Sequence, residues 1–267
     1  MAHEGHLLSR SQTTEAQPAI PASHIRLAEE IIYHCFVQWP IWSTFDRVWL
    51  HVDGPLPHPA DGPIIAYMNH CSWWDGYIPL LFHREVFDRQ FENYLMMDYR
   101  QLRRYRFFAW IGAFSVTINN RREAARSVAY ITQLLATRQD RFLWIYPQGK
   151  IVPNDRRPIV IHRGIARIAR QAGGVLLWPI ALRYEFRGEQ RPEAFIRAGP
   201  AHYAPPSTDT IALTADIQQR LTMAVDTLHD EVIHDRLDHY RELARGRPGT
   251  NRIFDAIMNV LLRQANT

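Results

Sequence analysis

The chain is short of three things, and each shortage narrows the reading. It has two cysteines, Cys35 and Cys71, too few for a disulfide framework and too far apart for a CxxC pair. A reducing compartment is expected. It has one lysine, Lys150, so that 30 of its 31 basic residues are arginines. It lacks an apolar run of the roughly 20 residues that a bilayer span needs. The best candidate, IIYHCFVQWPIWSTF (Ile31–Phe45), contains no Asp, Glu, Lys or Arg, but it is short and carries His34, Gln38 and Pro40. It is expected to form interfacial or core-covering helices broken at Pro40. No internal repeat or low-complexity tract is present, and no leader pattern of basic, apolar and small residues opens the chain.

What is present suits a sizeable core. The 267 residues are 46% hydrophobic and 12% aromatic, with eight tryptophans. Rings with one polar end suit boundaries between dry and wet surroundings, membrane interfaces among them. The net charge of +4 is a mild pull toward anionic partners. Short apolar runs alternate with longer helical ones, the βαβ pattern. Strands are expected at 63–69, 93–97, 113–118, 141–147, 175–182 and 194–200. Helices are expected at 75–87, 101–111, 122–137, 159–173, 208–245 and 252–264. The fold class is α/β, a mixed and largely parallel sheet wrapped by helices, with N-terminal amphipathic helices. The expected divisions are a loosely attached tail (1–23), membrane-associating helices (24–60), a catalytic core (61–205) and C-terminal helices (206–267).

Two stretches carry chemistry. In NHCSWWD (Asn69–Asp75) a histidine and an aspartate lie five apart where a strand hands over to a helix. Ligands collect at the carboxyl ends of strands in α/β sheets. A spacing of five does not stack two residues on one helix face. It does bring them together if His70 is on the incoming turn and Asp75 in the first helical turn. The carboxylate then fixes the imidazole tautomer and leaves the other nitrogen as a base. The second stretch is YPQGKIVPNDRRP (Tyr146–Pro158). A strand ending in Pro147 and followed by Gly149 exposes backbone N–H groups, an anion or oxyanion cradle. Lys150, Arg156 and Arg157 add positive charge. Taken singly, each stretch also fits an ordinary turn or a solvated basic loop.

Together they resemble the glycerolipid acyltransferase family, which includes the lysophosphatidic acid acyltransferases. NHCSWWD is similar to its N-H-x4-D box and YPQGK to its F-P-E-G-T box. GAFSVTINNRR falls where the G-x-F-x-x-R box belongs, and HRGIARIARQAGGVLLWPIAL resembles the helix before and strand through the V-P-V box, here Trp178-Pro179-Ile180. Order and spacing agree over about residues 63–198. The resemblance implies O-acyl transfer with His70 as general base and Asp75 as its orienter. The acceptor alkoxide attacks the thioester of acyl-CoA or acyl carrier protein in one step, with no acyl-enzyme, metal or cofactor. It further implies that Asn69, Arg121, Arg122, Tyr146, Pro147, Gln148, Gly149, Lys150, Arg156 and Arg157 bind substrate, with backbone around Gly149 steadying the oxyanion. A lipid acceptor at the cytoplasmic membrane surface, peripherally bound, completes the expectation.

The sequence departs from the family at the acceptor. Thr117-Ile118 stand where the second box has Asp-Arg, and Arg121 and Arg122 come a few residues late. In the third box Gln148 replaces Glu, and Lys150-Ile151 replace Thr-Arg. The acceptor is thus a 1-acyl-glycerol-3-phosphate-like lipid held by relocated cations, or one without that phosphate, such as a glycolipid. A non-catalytic lipid binder of the same fold has no need for the His70–Asp75 pair. A nucleic-acid module is suggested by RQLRRYRFF (Arg100–Phe108), but no recognised nucleic-acid motif accompanies it.

Overall fold

The computed structural model describes residues 17–251 together with Phe254 and Met258. Helix α1 (Arg26–Tyr33) runs through a π-helical stretch (His34–Gln38) into α2 (Trp39–Thr44). Strand β1 (Arg47–Val52) follows, then β2 (Ile64–Met68), α3 (Ile78–Glu85), β3 (Glu92–Asp98), α4 (Tyr99–Arg104), β4 (Ala113–Val116), α5 (Arg121–Thr137) and β5 (Arg141–Ile145). The rest is α6 (Gly164–Gln171), β6 (Val175–Glu185), β7 (Glu193–Ala198), β8 (His202–Ala204), α7 (Thr210–Ile233) and β9 (Arg241–Arg245).

The nine strands form one sheet in the order β4-β3-β5-β2-β6-β7-β1-β9, with β8 on the first half of β6. Strands β4, β3, β5, β2 and β6 are mutually parallel. Strand β7 runs antiparallel to β6 and parallel to β1, and β9 closes the edge antiparallel to β1. The expected mixed, mostly parallel sheet is what the chain forms.

Strand β2 lies at the centre with every residue buried, as a parallel strand covered on both faces must be. Its alternation divides the core. Ile65 and Tyr67 pack with Leu143, Phe114 and the buried stripes of α5, α6 and α7. Ile64, Ala66 and Met68 pack with Phe142, Trp144, Trp178, α3 and the N-terminal helices. The buried indoles are satisfied: Trp144 Nε1 donates to Asn93 Oδ1 (2.7 Å) and Trp178 Nε1 to Gly199 O (3.0 Å). Helix α5 is capped by Asn120, whose Oδ1 accepts from the N–H groups of Arg122 and Glu123. It docks through Ser127, Ile131 and Leu135, spaced four apart.

Several boundaries differ from expectation for physical reasons. Pro40 does not break the N-terminal helix. The residues from Tyr33 to Trp39 all keep helical backbone, and the π stretch just before Pro40 supplies the wider turn in which a missing N–H and a ring are tolerated. The helical region expected over 24–60 stops at Thr44, because RVWLHV pairs as β1 between β7 and β9. The tail expected over 1–23 is tied down in its described part. Ile20 is buried, its N–H donates to Ser115 Oγ, and Ser23 N donates to Ala109 O. The helix expected over 208–245 ends at Ile233, and Arg241–Arg245 is strand β9. The helix expected over 159–173 starts only at Gly164, since the approach is pinned by His162 N donating to Pro147 O. The helix expected over 252–264 lies outside the described residues apart from Phe254 and Met258.

Candidate active site

The carboxyl ends of β2, β3, β4 and β5 open into a cavity of about 1490 Å³. His70 follows β2 and lines it. Its Nδ1 lies 2.7 Å from Asp75 Oδ2, while its Nε2 makes no hydrogen bond within the described residues. Asp75 is fully buried. Its position is fixed locally, because Ser72 and Asp75 form the capping box of the short 3₁₀ turn Trp73–Tyr77. The Ser72 hydroxyl accepts from Trp74 N, and Asp75 Oδ2 accepts from Ser72 N (2.9 Å) and Cys71 N (2.7 Å). The other oxygen, Oδ1, accepts from the Tyr184 hydroxyl at 2.9 Å. A buried carboxylate needs such donors, and this one has four within 3 Å. With Asp75 ionised, Nδ1 carries the imidazole proton and Nε2 keeps its lone pair.

The third box grips the same turn. Gln148 is buried, and its Oε1 accepts from His70 N at 2.7 Å. The Tyr146 ring stacks on the imidazole with centroids 4.5 Å apart, and its hydroxyl donates to Asp75 O at 2.6 Å. Burial, then the charge of Asp75, pushes both the Tyr146 and Tyr184 phenols well above their usual range, so both remain donors. Asn69 pins the turn to β6. Its Oδ1 accepts from Leu182 N (2.7 Å), and its Nδ2 donates to Leu182 O (2.9 Å) and Asn154 Oδ1 (2.8 Å). Cys71 lies beside the dyad, but its Sγ–H is directed at Asp75 Oδ1 and Leu182 O. Burial and the Asp75 carboxylate push that thiol upward, so it is no nucleophile.

Gly149 sits at φ +67°, and a Cβ there would lie 2.9 Å from both His162 Cδ2 and Ile118 Cδ1. Its own N–H is committed to Tyr146 O. Among the described residues, the N–H groups of Lys150 and Ile151 have no protein acceptor, and both residues line the cavity. Arg121 and Lys150 line the cavity as expected of binding residues. Arg122 and Arg156 do not. Arg157 is turned away, its Nε donating to Asp226 Oδ1 (2.8 Å) on α7 and its Nη1 to Asn154 O (2.9 Å). The loop that holds it is anchored at the dyad by Val152 N donating to His70 O, which leaves its far end facing α7. Trp73 is exposed on the cavity wall, while Trp74 packs edge-on against Phe45.

A sequence profile of the family described as Acyltransferase matches residues 50–183. The chain belongs to the acyltransferase family. The match includes the dyad turn, Arg121 and the YPQGK segment. Among solved structures, the crystal structure of the 1-acyl-sn-glycerophosphate (LPA) acyltransferase PlsC from Thermotoga maritima is similar. It has 15% sequence identity and a TM-score of 0.52, over 76% of this chain and 79% of that one. At that identity the likeness concerns the fold. No curated protein matches the chain significantly.

The acyltransferase cavity has further lining residues outside the two stretches that carry chemistry. His162 and Arg163 just before α6, Arg167 within it, and Phe36 and Phe107 also line the cavity. Ser72 could have been found from the S-x-x-D spacing that precedes a helix. Tyr184 and Asn154 had no local signal. Their roles come from β6 and a distant loop meeting the dyad turn.

Proposed function

We propose that this acyltransferase moves a fatty acyl group from an acyl thioester, acyl-CoA or acyl carrier protein, to the hydroxyl of a lipid acceptor resembling 1-acyl-glycerol-3-phosphate. The observation that carries the reading is the 2.7 Å His70 Nδ1–Asp75 Oδ2 contact on the wall of a large, mainly apolar cavity, with Nε2 unoccupied by protein. His70 Nε2 takes the acceptor's hydroxyl proton as the oxygen attacks the thioester carbonyl. The tetrahedral intermediate collapses, the C–S bond breaks, and the imidazolium returns the proton to the departing thiolate. Asp75 holds the tautomer and stabilises the transient imidazolium. The free N–H groups of Lys150 and Ile151 are suited to the oxyanion. The raised, occupied Cys71 thiol argues against an acyl-enzyme.

The acceptor's phosphate is supported by charge. Arg104, Arg121, Lys150, Arg163 and Arg167 line the cavity, against the single carboxylate of Asp98. Among the described residues Arg121, Lys150, Arg163 and Arg167 form no ion pair, unlike Arg183 or Arg197. Arg121 also sits in the first turn of α5, where a cation is unfavourable until an anion joins it. Peripheral attachment to the cytoplasmic face of a membrane is part of the proposal. Leu27, Ile31, Phe36, Trp39 and Trp42 are exposed along the N-terminal helices, and Tyr105 and Trp110 beside exposed Arg103, Arg104 and Arg106. Rings and basic residues on one surface suit an anionic interface. Among the described residues no helix is long and apolar enough to cross a membrane.

The test is thioester consumption from palmitoyl-CoA in detergent, with lysophosphatidic acid, glycerol 3-phosphate and glycolipids as acceptors. Turnover that requires the phosphate-bearing lysolipid and vanishes in His70→Ala is expected. Equal turnover in His70→Ala overturns the base assignment, and preference for a neutral glycolipid overturns the acceptor.

A further inference from the structure

Three of the donors to Asp75 meet at Oδ2: His70 Nδ1–H, Cys71 N–H and Ser72 N–H. All three come from the chain immediately before it. They hold one oxygen, all from the same short turn, and leave the other to be held from elsewhere in the fold. The other oxygen has one close partner, the hydroxyl of Tyr184, and beyond it the Cys71 sulfur at 3.7 Å. Tyr184 comes from β6, a hundred and nine positions away in sequence, and lies outside every box of the family pattern. It stands two residues after Leu182, whose backbone N–H and C=O are both taken by Asn69. Strand β6 therefore holds the dyad turn at two points, by main chain at its start and by a phenol at its end. The phenol is wedged by Phe45, whose ring centroid is 5.8 Å away, and its proton is secured by burial beside the carboxylate.

We propose that Tyr184 is a positioning residue of this active site: by donating to Asp75 Oδ1 it locks the carboxylate in the orientation in which Oδ2 receives the His70 Nδ1 proton. The proposal rests on the reading of His70 as the base. Tyr184 touches no reacting atom. Its hydroxyl also draws charge from the carboxylate, so removing it leaves Asp75 a stronger partner for the imidazolium. Two signatures follow that a packing role does not produce. The chemical step slows without loss of substrate binding, and the acid limb of the pH profile moves to higher pH, because the imidazole holds its proton more tightly.

The variant is Tyr184→Phe, which keeps the ring and removes the hydroxyl, with His70→Ala as reference. Turnover is measured with palmitoyl-CoA and lysophosphatidic acid against pH, together with melting temperature. In parallel, the low-field Nδ1–H proton of His70 is followed by NMR in ¹⁵N-histidine-labelled protein, a readout that needs no substrate. Tyr184→Phe is expected to lower kcat about tenfold, the scale of one hydrogen bond to a charged group. KM values stay within about twofold, the acid limb moves up, and the Nδ1–H resonance, absent in His70→Ala, shifts or broadens. A wild-type kcat, pH profile and resonance in Tyr184→Phe, with His70→Ala inactive, overturns the proposal while leaving the base assignment standing. A loss of activity that only follows a lowered melting temperature, with an unmoved resonance, overturns it as well. Undiminished turnover in His70→Ala removes the base itself, and with it anything for Tyr184 to position.

Discussion

At the scale of the residue, the dyad was readable because its geometry is local. His70 and Asp75 are joined by one tight turn, and a five-residue spacing with a serine three before the aspartate encodes that turn. The partners that come from afar were not readable, since no local pattern in RYEF or VPND marks Tyr184 or Asn154 as neighbours of residue 75. The same locality explains Gly149. Its positive φ and the closeness of His162 and Ile118 leave no room for a Cβ. Gly149→Ala is expected to lower stability by about 1–2 kcal/mol in denaturant titration and to reduce turnover more than tenfold by shifting Lys150 and Ile151. Away from the site, His202 is a half-buried histidine on β8. Burial, aided by Arg220, pulls it down to about 4 from 6.5, although Asp216 lies 3.3 Å away and opposes the shift. Because the folded value is the lower one, the unfolded chain binds a proton that the folded chain refuses. The contribution is intact above about pH 6.5 and is lost as pH falls toward 4, by about 3 kcal/mol at most. His202→Leu is expected to flatten that part of the stability–pH curve, measured by melting temperature between pH 7 and 4.

At the scale of the element, apolar runs found the six strands β2 to β7, since buried parallel strands are unbroken hydrophobic segments. Strands β1, β8 and β9 escaped, the first and last for opposite reasons. RVWLHV sits between aromatic helix and proline-rich loop and reads as their continuation. RELAR is made of helix formers, and only its pairing with β1 makes it a strand. Its charges suit a sheet edge, where they discourage pairing with a second molecule. Helix α5 was legible because its stripe has helical spacing throughout. Ile131, fully buried at the centre of that stripe, is its most costly truncation. Ile131→Ala is expected to lose about 2–5 kcal/mol in denaturant unfolding, with the variant still showing the wild-type dependence of turnover on pH.

At the scale of the whole molecule, one exposed patch combines basic residues and aromatic rings beside the cavity wall formed by Arg104 and Tyr105. Arg100, Arg103, Arg104 and Arg106 are all exposed on α4 and the turn after it, near the exposed rings of Tyr105 and Trp110. Binding to vesicles containing phosphatidylglycerol is expected to weaken as salt rises, because exposed charges are screened over about 10 Å at 0.1 M. Replacing Arg103, Arg104 and Arg106 by glutamine is expected to weaken it at least tenfold in a flotation assay, with little change on neutral vesicles. The topology adds a constraint of timing. Leu50 of β1 pairs with Ile196 of β7, so the strand that anchors the N-terminal helices cannot close until β7 has been made. At 5–20 residues per second that is a wait of roughly 7–30 s on the ribosome. During it, the segment bearing Trp39 and Trp42 has been made while β1, which follows it, still lacks its parallel partner in the sheet. The aromatic segment is thus made well before its strand is fixed in the sheet, and ribosome-stalled chains ending before β7 are expected to float with anionic vesicles already.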